Sequence, residues 1–297
     1  MKTKIIRQLS QSSDVSTHER IEIPTSPLPY IRGEGCGNTF LIFDCLEASH
    51  EAVDEIIKGA HESLLKEKRD DALILKTEYQ DSERLVLTMI VLEPDQSIAE
   101  FCGNGARVIS CFLQYKFGNQ KMKYYLKTSR GMRKIWWQND TFFVDMGKTN
   151  FYLNTNKFLN PKLETFTLGL GMRQFTFFWT ETMEPHLVTF EAIGEEELQE
   201  LGLYLNNHQR HFFPFGINLN KAEIISEDNM IVTTFERGVN RITEACGTGA
   251  TSCAMLAKAL GRLESNRCVT ISLKGGQIKI QPKRGGAIMS GPANIEV

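Results

Sequence analysis

Two segments far apart in the chain read alike: AEFCGNGARVISC, from Ala99 to Cys111, and TEACGTGATSC, from Thr243 to Cys253. Laying Cys102 on Cys246 sets an offset of 144 residues. The same offset lays Gly103 on Gly247, Gly105 on Gly249 and Ala106 on Ala250, and further along Gly131 on Gly275 and Gly147 on Gly291, without a gap. One or two glycine coincidences arise by chance. Five glycine or alanine matches around one cysteine pair, at one offset, point to an internal duplication. A chain built this way folds as two similar halves. The repeat predicts a first lobe over residues 1–147, with 292–297 returning to it, and a second over 148–291.

Each half carries the same order of elements. In the first, LVLTMIVLE is apolar and β-prone and predicts a strand. GARVISCFLQYKFG then spaces its apolar residues at helical period and stops at Gly118. YYLKT, RKIWWQ and TFFVDMG follow as short strands. The second half repeats the order with NMIVTTFE, the helix GATSCAMLAKALG, and the strands CVTISL, GQIKIQP and AIMSG. The fold class is α+β, with many antiparallel strands and one helix opening at each cysteine. Neither half has the strand and GxGxxG of a dinucleotide fold, or the GK[ST] of a phosphate loop.

Composition narrows the partners. The chain has 297 residues, a formal net charge of −2 and 24% charged residues, which does not favour nucleic acid or an acidic membrane. The start, MKTKIIRQLSQSSDVSTHER, is basic but lacks an apolar signal core, and no long apolar run follows, so a cytoplasmic location is expected. The seven cysteines show no CxxC and no zinc spacing. Reduced thiols in a reducing compartment are expected, with no metal site.

The two repeated cysteines precede helix starts. Such a position exposes unpaired N–H groups and partial positive charge. It holds a carboxylate by backbone alone and favours a thiolate over a thiol. Taken singly, a cysteine before a glycine turn is more often a small buried residue, and Cys36, Cys45, Cys111, Cys253 and Cys268 keep that reading. The matched pair suggests more. If the two helix starts face each other, both grip one carboxylate, and the two sulfurs flank the carbon that bears it. A base on one face and an acid on the other is the arrangement that inverts a stereocentre.

CGNGAR and ACGTGA resemble the two signature motifs of the diaminopimelate epimerase family, racemases and epimerases that use no pyridoxal phosphate. The resemblance extends over nearly the whole chain. GEGCGNTFLIFD resembles the family's opening strand, DDALIL its Ala-Asp-Gly-Leu-Ile strand, EPHLV its Asn-Pro-His segment, FGINLN its Val-Asn-Val strand and FERGV its entry to the second cysteine. The resemblance implies two lobes related by a pseudo-twofold, each a mostly antiparallel sheet wrapped around a helix, with the active site in the cleft between them. It implies Cys102 and Cys246 as the acid–base pair, with His186 and Glu236 beside the thiols to assist proton movement. Gly103, Asn104, Gly247 and Thr248 would grip the reacting carboxylate, and Asn38 would line the site. Arg237 matches the arginine for the far carboxylate of diaminopimelate, and Asn218 another far-end residue. A small amino-acid substrate, no cofactor and a homodimer are implied as well.

Three departures from the family pattern stand out, and the first two bear on the far end. Glu93 stands where the family carries the asparagine of Asn-x-Asp-Gly-Ser, and Glu184 where it carries that of Asn-Pro-His. The loop RGVNRITEAC is one residue longer than its commonest form. The first expectation is an epimerase acting on diaminopimelate. The alternative is a racemase of a basic amino acid: lysine, ornithine, arginine or histidine. A non-catalytic or hydrolytic relative is the third reading, but a cysteine hydrolase needs one nucleophile and leaves the second copy unexplained.

Overall fold

The computed structural model describes residues 28–48, 53–118, 121–151, 163, 165–264 and 267–297. The polar start of the chain, on which the expected location rests, lies outside these residues. The first lobe contains β1 (Ile31–Gly35), β2 (Asn38–Cys45), α1 (Val53–Glu67), β3 (Asp71–Gln80), β4 (Arg84–Leu92), β5 (Ile98–Ala99), α2 (Gly103–Phe117), β6 (Lys123–Thr128), β7 (Gly131–Gln138) and β8 (Thr141–Gly147). The second repeats that order after one additional strand: β9 (Thr165–Leu170), then β10 (Arg173–Thr182), β11 (Glu184–Thr189), α3 (Glu195–His208), β12 (Asn218–Ser226), β13 (Asn229–Glu236), β14 (Arg241–Ile242), α4 (Gly247–Ala259), β15 (Val269–Leu273), β16 (Gly276–Lys283) and β17 (Gly286–Gly291). A last strand, β18 (Asn294–Glu296), returns to pair with β1 of the first lobe.

The pairings form one ribbon, ordered β18, β1, β2, β3, β4, β6, β7, β8 in the first lobe. It continues through β17, β16, β15, β13, β12, β11, β10 and β9 in the second. Most pairs are antiparallel. The parallel ones fall at equivalent places, β2–β3 with β11–β12, and β4–β6 with β13–β15. Parallel neighbours need a crossover; α1 and α3 serve the first two, and α2 and α4 the second. The lobes join where β8 pairs with its own repeat, β17. Like therefore meets like across the pseudo-twofold, with Gly147 opposite Ala287 and Gly291 opposite Phe142.

Each lobe wraps its sheet around one helix. α2 buries Ala106, Val108, Ile109, Phe112 and Leu113, while α4 buries mainly small residues, among them Ala250, Cys253, Ala254 and Ala257. Both belong to one apolar cluster that runs through the two lobes. Cys111 and Cys253 pack within it, and all seven cysteines are free. α1 and α3 lie outside, each over a smaller cluster: Leu41, Phe43 and Ile74 beneath α1, and Phe177, Leu219 and Phe235 beneath α3. α2 ends at Gly118, whose φ of 65° suits glycine and whose N–H donates to the Gln114 carbonyl. No helix among the described residues is long and apolar enough to cross a membrane.

Candidate active site

The helix starts are built alike and meet. Cys102 is the N-cap of α2, and its Sγ accepts the Gly105 N–H at 3.2 Å. Cys246 is the N-cap of α4, and its Sγ accepts the Gly249 N–H at 3.4 Å. A Cβ placed on Gly103 would lie 3.4 Å from the Gly247 Cα, so the two backbones come close, and a Cβ on Gly247 would lie 2.8 Å from the Met289 sulfur. The first turns of both helices open into one cleft of about 470 Å³, lined by both cysteines, Gly103, Asn104, Gly247 and Thr248.

Burial pushes both thiols well above their ordinary range. Carboxylates add to the shift: Asp71 acts most strongly on Cys102 and Glu236 on Cys246. The Gly105 and Gly249 N–H groups, and the Thr248 hydroxyl beside Cys246, oppose it. The helix-end argument anticipated thiols lowered by their position. The balance runs the other way, because the loss of water and the full charges of nearby acids outweigh the fractional charge of a helix terminus. Glu236 is itself pushed up to about 7, chiefly by burial, while hydrogen bonds with Thr243 and Cys246 hold it down. The Thr243 hydroxyl donates to Glu236 Oε1.

His186 reaches Cys246 through Thr248. The Asn220 amide is oriented by the Thr234 hydroxyl, which donates to its Oδ1 at 2.8 Å, and by its own donation to the Leu187 carbonyl. The other N–H of that amide points at His186 Nδ1, 3.1 Å away, which must therefore accept. The imidazole proton sits on Nε2 and donates to Thr248 Oγ1 at 3.1 Å. Thr248 then has its own proton for Cys246 Sγ, 3.4 Å away. Burial and the charge of Arg237 lower His186 to about 3, so the ring is neutral and the relay is set in this direction.

A second polar cluster ties the lobes together on the Cys102 side. Asn104 Nδ2 donates to Asn38 Oδ1 at 2.7 Å and, across the cleft, to the Ala245 carbonyl at 3.1 Å. Its Oδ1 accepts from the fully buried Arg107, whose other terminal nitrogen donates to the Pro292 carbonyl at 2.6 Å. Arg107 thus fixes the orientation of Asn104. Replacing Arg107 by Met is expected to cost about 3 kcal/mol, because two buried acceptors lose a charged donor; urea denaturation measures it.

At the far end, Glu184 forms an ion pair with Arg237 at 3.8 Å and accepts from Asn218 Nδ2 at 3.2 Å. Asn218 Oδ1 in turn accepts the Arg237 N–H at 2.9 Å. A second Arg237 nitrogen donates to the Phe215 carbonyl. Glu93 accepts from the Ser97 hydroxyl and lies against Gly238. Asp70 and Asp71, Asp95 and Glu100 line the same cleft, and Asp70 pairs with Arg241 at 3.4 Å. Burial raises Glu184, while Arg237 and Asn218 pull it back down.

Of the thirteen residues singled out in the sequence, eleven line this cleft. His186 and Asn218 stand behind it, His186 against Thr248 and Asn218 holding Glu184 and Arg237. Sequence reasoning missed Asp71, Asn220 and Thr243. Asp71 carried one usable signal, a pair of acids opening an apolar strand, DDALIL. Asn220 and Thr243 had none, since nothing local marks a polar residue as the partner of a distant one.

A family model described as diaminopimelate epimerase matches residues 178–296. The chain is 33% identical over 229 residues to the diaminopimelate epimerase of Bacteroides thetaiotaomicron, covering 75% of this chain and 79% of that protein. It is 30% identical over 233 residues to the one from Chlamydia muridarum, covering 77% and 81%. Among solved structures, a hydroxyproline epimerase from Agrobacterium vitis superposes with a TM-score of 0.64 over 90% of each chain. At 12% identity that likeness concerns the fold alone.

Proposed function

Because the chain belongs to the diaminopimelate epimerase family and is an isomerase, we propose that it inverts the α-carbon of a free amino acid, with Cys102 and Cys246 as the acid and base on opposite faces. The observation that carries this reading is the contact between two cysteine-capped helix starts. Their N–H groups grip the α-carboxylate of the substrate, which leaves its α-carbon between the sulfurs. One thiolate removes the α-proton while the opposite thiol delivers its own. The carbanion is stabilised by the same helix ends that hold the carboxylate, because its charge spreads onto those oxygens. Glu236 takes part beside Cys246. The neutral His186 orients Thr248, which donates to the Cys246 thiolate.

The preferred substrate in this reading has a cationic side chain and no second carboxylate. Seven carboxylates and three arginines line the cleft. Arg237 and Arg241 already have acidic partners, while Arg210 donates to the Asn206 and Pro214 carbonyls. A substrate carboxylate about 4 Å from one more unpaired carboxylate is disfavoured by about 4 kcal/mol at an effective dielectric of about 20. One observation supports diaminopimelate instead: Arg237 lines the cleft and can exchange Glu184 for a substrate carboxylate.

Steady-state kinetics on lysine, ornithine, arginine, histidine and diaminopimelate, followed by α-deuterium incorporation, test both parts. A basic amino acid is expected to be the best substrate. Changing Glu93 and Glu184 together to asparagine is expected to move the ratio of kcat/KM values at least about 100-fold towards diaminopimelate. Efficient turnover of diaminopimelate alone by the unaltered protein rejects the cationic reading. Absence of α-deuterium in every amino acid tried rejects the inversion itself.

A further inference from the structure

Asp71 is a carboxyl group in the cleft that the inversion, as described, does not use. It opens β3 and lies with Cys102 in the wall of the cleft. Its orientation follows from the strand. Residues two apart share a face, so Asp71 lies on the side of Leu73. Leu73 packs against the start of α2: a Cβ on Gly105 would lie 3.1 Å from Leu73 Cδ2 and 3.3 Å from Cys102 Sγ. Asp71 is therefore one strand repeat from the point where β3 packs on the first turn of α2, which Cys102 caps. Its carboxyl group makes no hydrogen bond to any described residue. Glu93, Glu236, Asp70 and Glu184 line the same cleft, and their charges act on it. The charges of Asp71, Glu236 and Glu184 act in turn on Cys102, whose sulfur accepts the Gly105 N–H.

The second thiol already has such a companion. Glu236 hydrogen-bonds with Cys246 and is anchored by Thr243. A two-thiol inversion leaves the enzyme in the opposite protonation state from the one that began it. The thiol that was the base now carries a proton, and the thiol that was the acid has lost one. The free enzyme has to reverse both before it accepts the same enantiomer again. Without a nearby carrier, those protons must come from water that has to enter the cleft.

We propose that Asp71 is the carboxyl partner of Cys102, as Glu236 is of Cys246, and that it resets this thiol between turnovers. In one direction the Asp71 carboxyl O–H passes its proton to the Cys102 thiolate, leaving a carboxylate and a thiol. In the other the Asp71 carboxylate takes the proton from the thiol. Nothing is oxidised or reduced. The inference rests on the two-thiol reading above. Burial and the charges of Glu93, Glu236, Asp70 and Glu184 raise Asp71 well above the usual carboxylate range.

Two measurements on Asp71→Asn test it. The return of the free enzyme contributes to kcat but not to kcat/KM. The variant is therefore expected to lose about tenfold or more in kcat while kcat/KM stays within about threefold. Asp71→Glu, which keeps the carboxyl group, is expected to recover most of kcat. The second measurement does not need turnover. In a Cys246→Ser background, the pH dependence of Cys102 alkylation by iodoacetamide is followed by peptide mass spectrometry. Removing the neighbouring negative charge is expected to move the midpoint down by about one pH unit. Parallel loss of kcat and kcat/KM, or an alkylation midpoint that does not move, overturns the assignment. If no amino acid is inverted by the unaltered protein, the reading of the previous subsection falls, and the alkylation midpoint still reports on Asp71 and Cys102. Should the asparagine variant not fold, Asp71→Ser takes its place in both measurements.

Discussion

Replacing either Cys102 or Cys246 by serine is expected to lower the rate of inversion by about a thousandfold or more, within the range for loss of a general acid or base. Each turnover uses one sulfur as base and the other as acid, so neither single variant keeps a working pair. An alcohol is a much weaker acid than a thiol, and it does not supply the missing half. The fold should survive the change. Both cysteines act as helix N-caps through side chains that accept the Gly105 and Gly249 N–H groups. Serine is a favoured residue at that position. Unfolding free energies are therefore expected to stay within about 1 kcal/mol of the unaltered protein. The checks are α-deuterium incorporation for activity and urea denaturation for stability. Near-normal inversion by either variant would remove the two-thiol mechanism.

Adding one methyl group at Gly249 is expected to do more harm than adding it at the equivalent Gly105. Both glycines lie in helices, where alanine is intrinsically better by about 1 kcal/mol. The surroundings decide the sign. A Cβ on Gly249 would lie 2.4 Å from Asn220 Oδ1 and 3.0 Å from Thr234 Oγ1. Neither can yield freely, because Thr234 donates to Asn220 and Asn220 holds the His186 ring. Gly249→Ala is expected to cost about 3 kcal/mol, by overpacking and by loss of a buried hydrogen bond. It should also lower kcat/KM about 100-fold or more, because the chain from Asn220 to Cys246 shifts. At Gly105 the nearest atoms are the flexible tip of Leu73 at 3.1 Å and Cys102 itself at 3.3 Å. Gly105→Ala is expected to cost less than about 1.5 kcal/mol. Equal effects at the two positions would show that the Asn220 relay does not constrain α4.

Much of the architecture was open to sequence reasoning, and the reason is periodicity. Burial in a helix or strand repeats at short range, and duplication repeats the whole pattern at long range. The 144-residue offset therefore placed α2 on α4 and the three strands after each helix on one another. It also put a cysteine and a glycine at both helix starts, and the pseudo-twofold brings the two glycines close together.

The electrostatic setting of the thiols was decided only by the tertiary structure. The repeat misleads where the two copies have drifted apart in length. An offset of 144 lays Asp71 on Phe215, whereas the sheet gives Asp71 the place of Asn218: each is the parallel partner of the third residue of the preceding strand, Phe40 in β2 and His186 in β11. The acid beside Cys102 comes from β3, and the acid beside Cys246 from the end of β13, so the two are not repeats of one another. The same holds for the shift of the thiols. A helix start by itself lowers a thiol, a property legible in a few residues. Its reversal needs burial by both lobes, together with Asp71 and Glu236 from separate strands. Charge acts through space and burial through enclosure. Both depend on residues that meet only when the chain has folded, so local pattern determined the frame and the convergence of distant segments determined its chemistry.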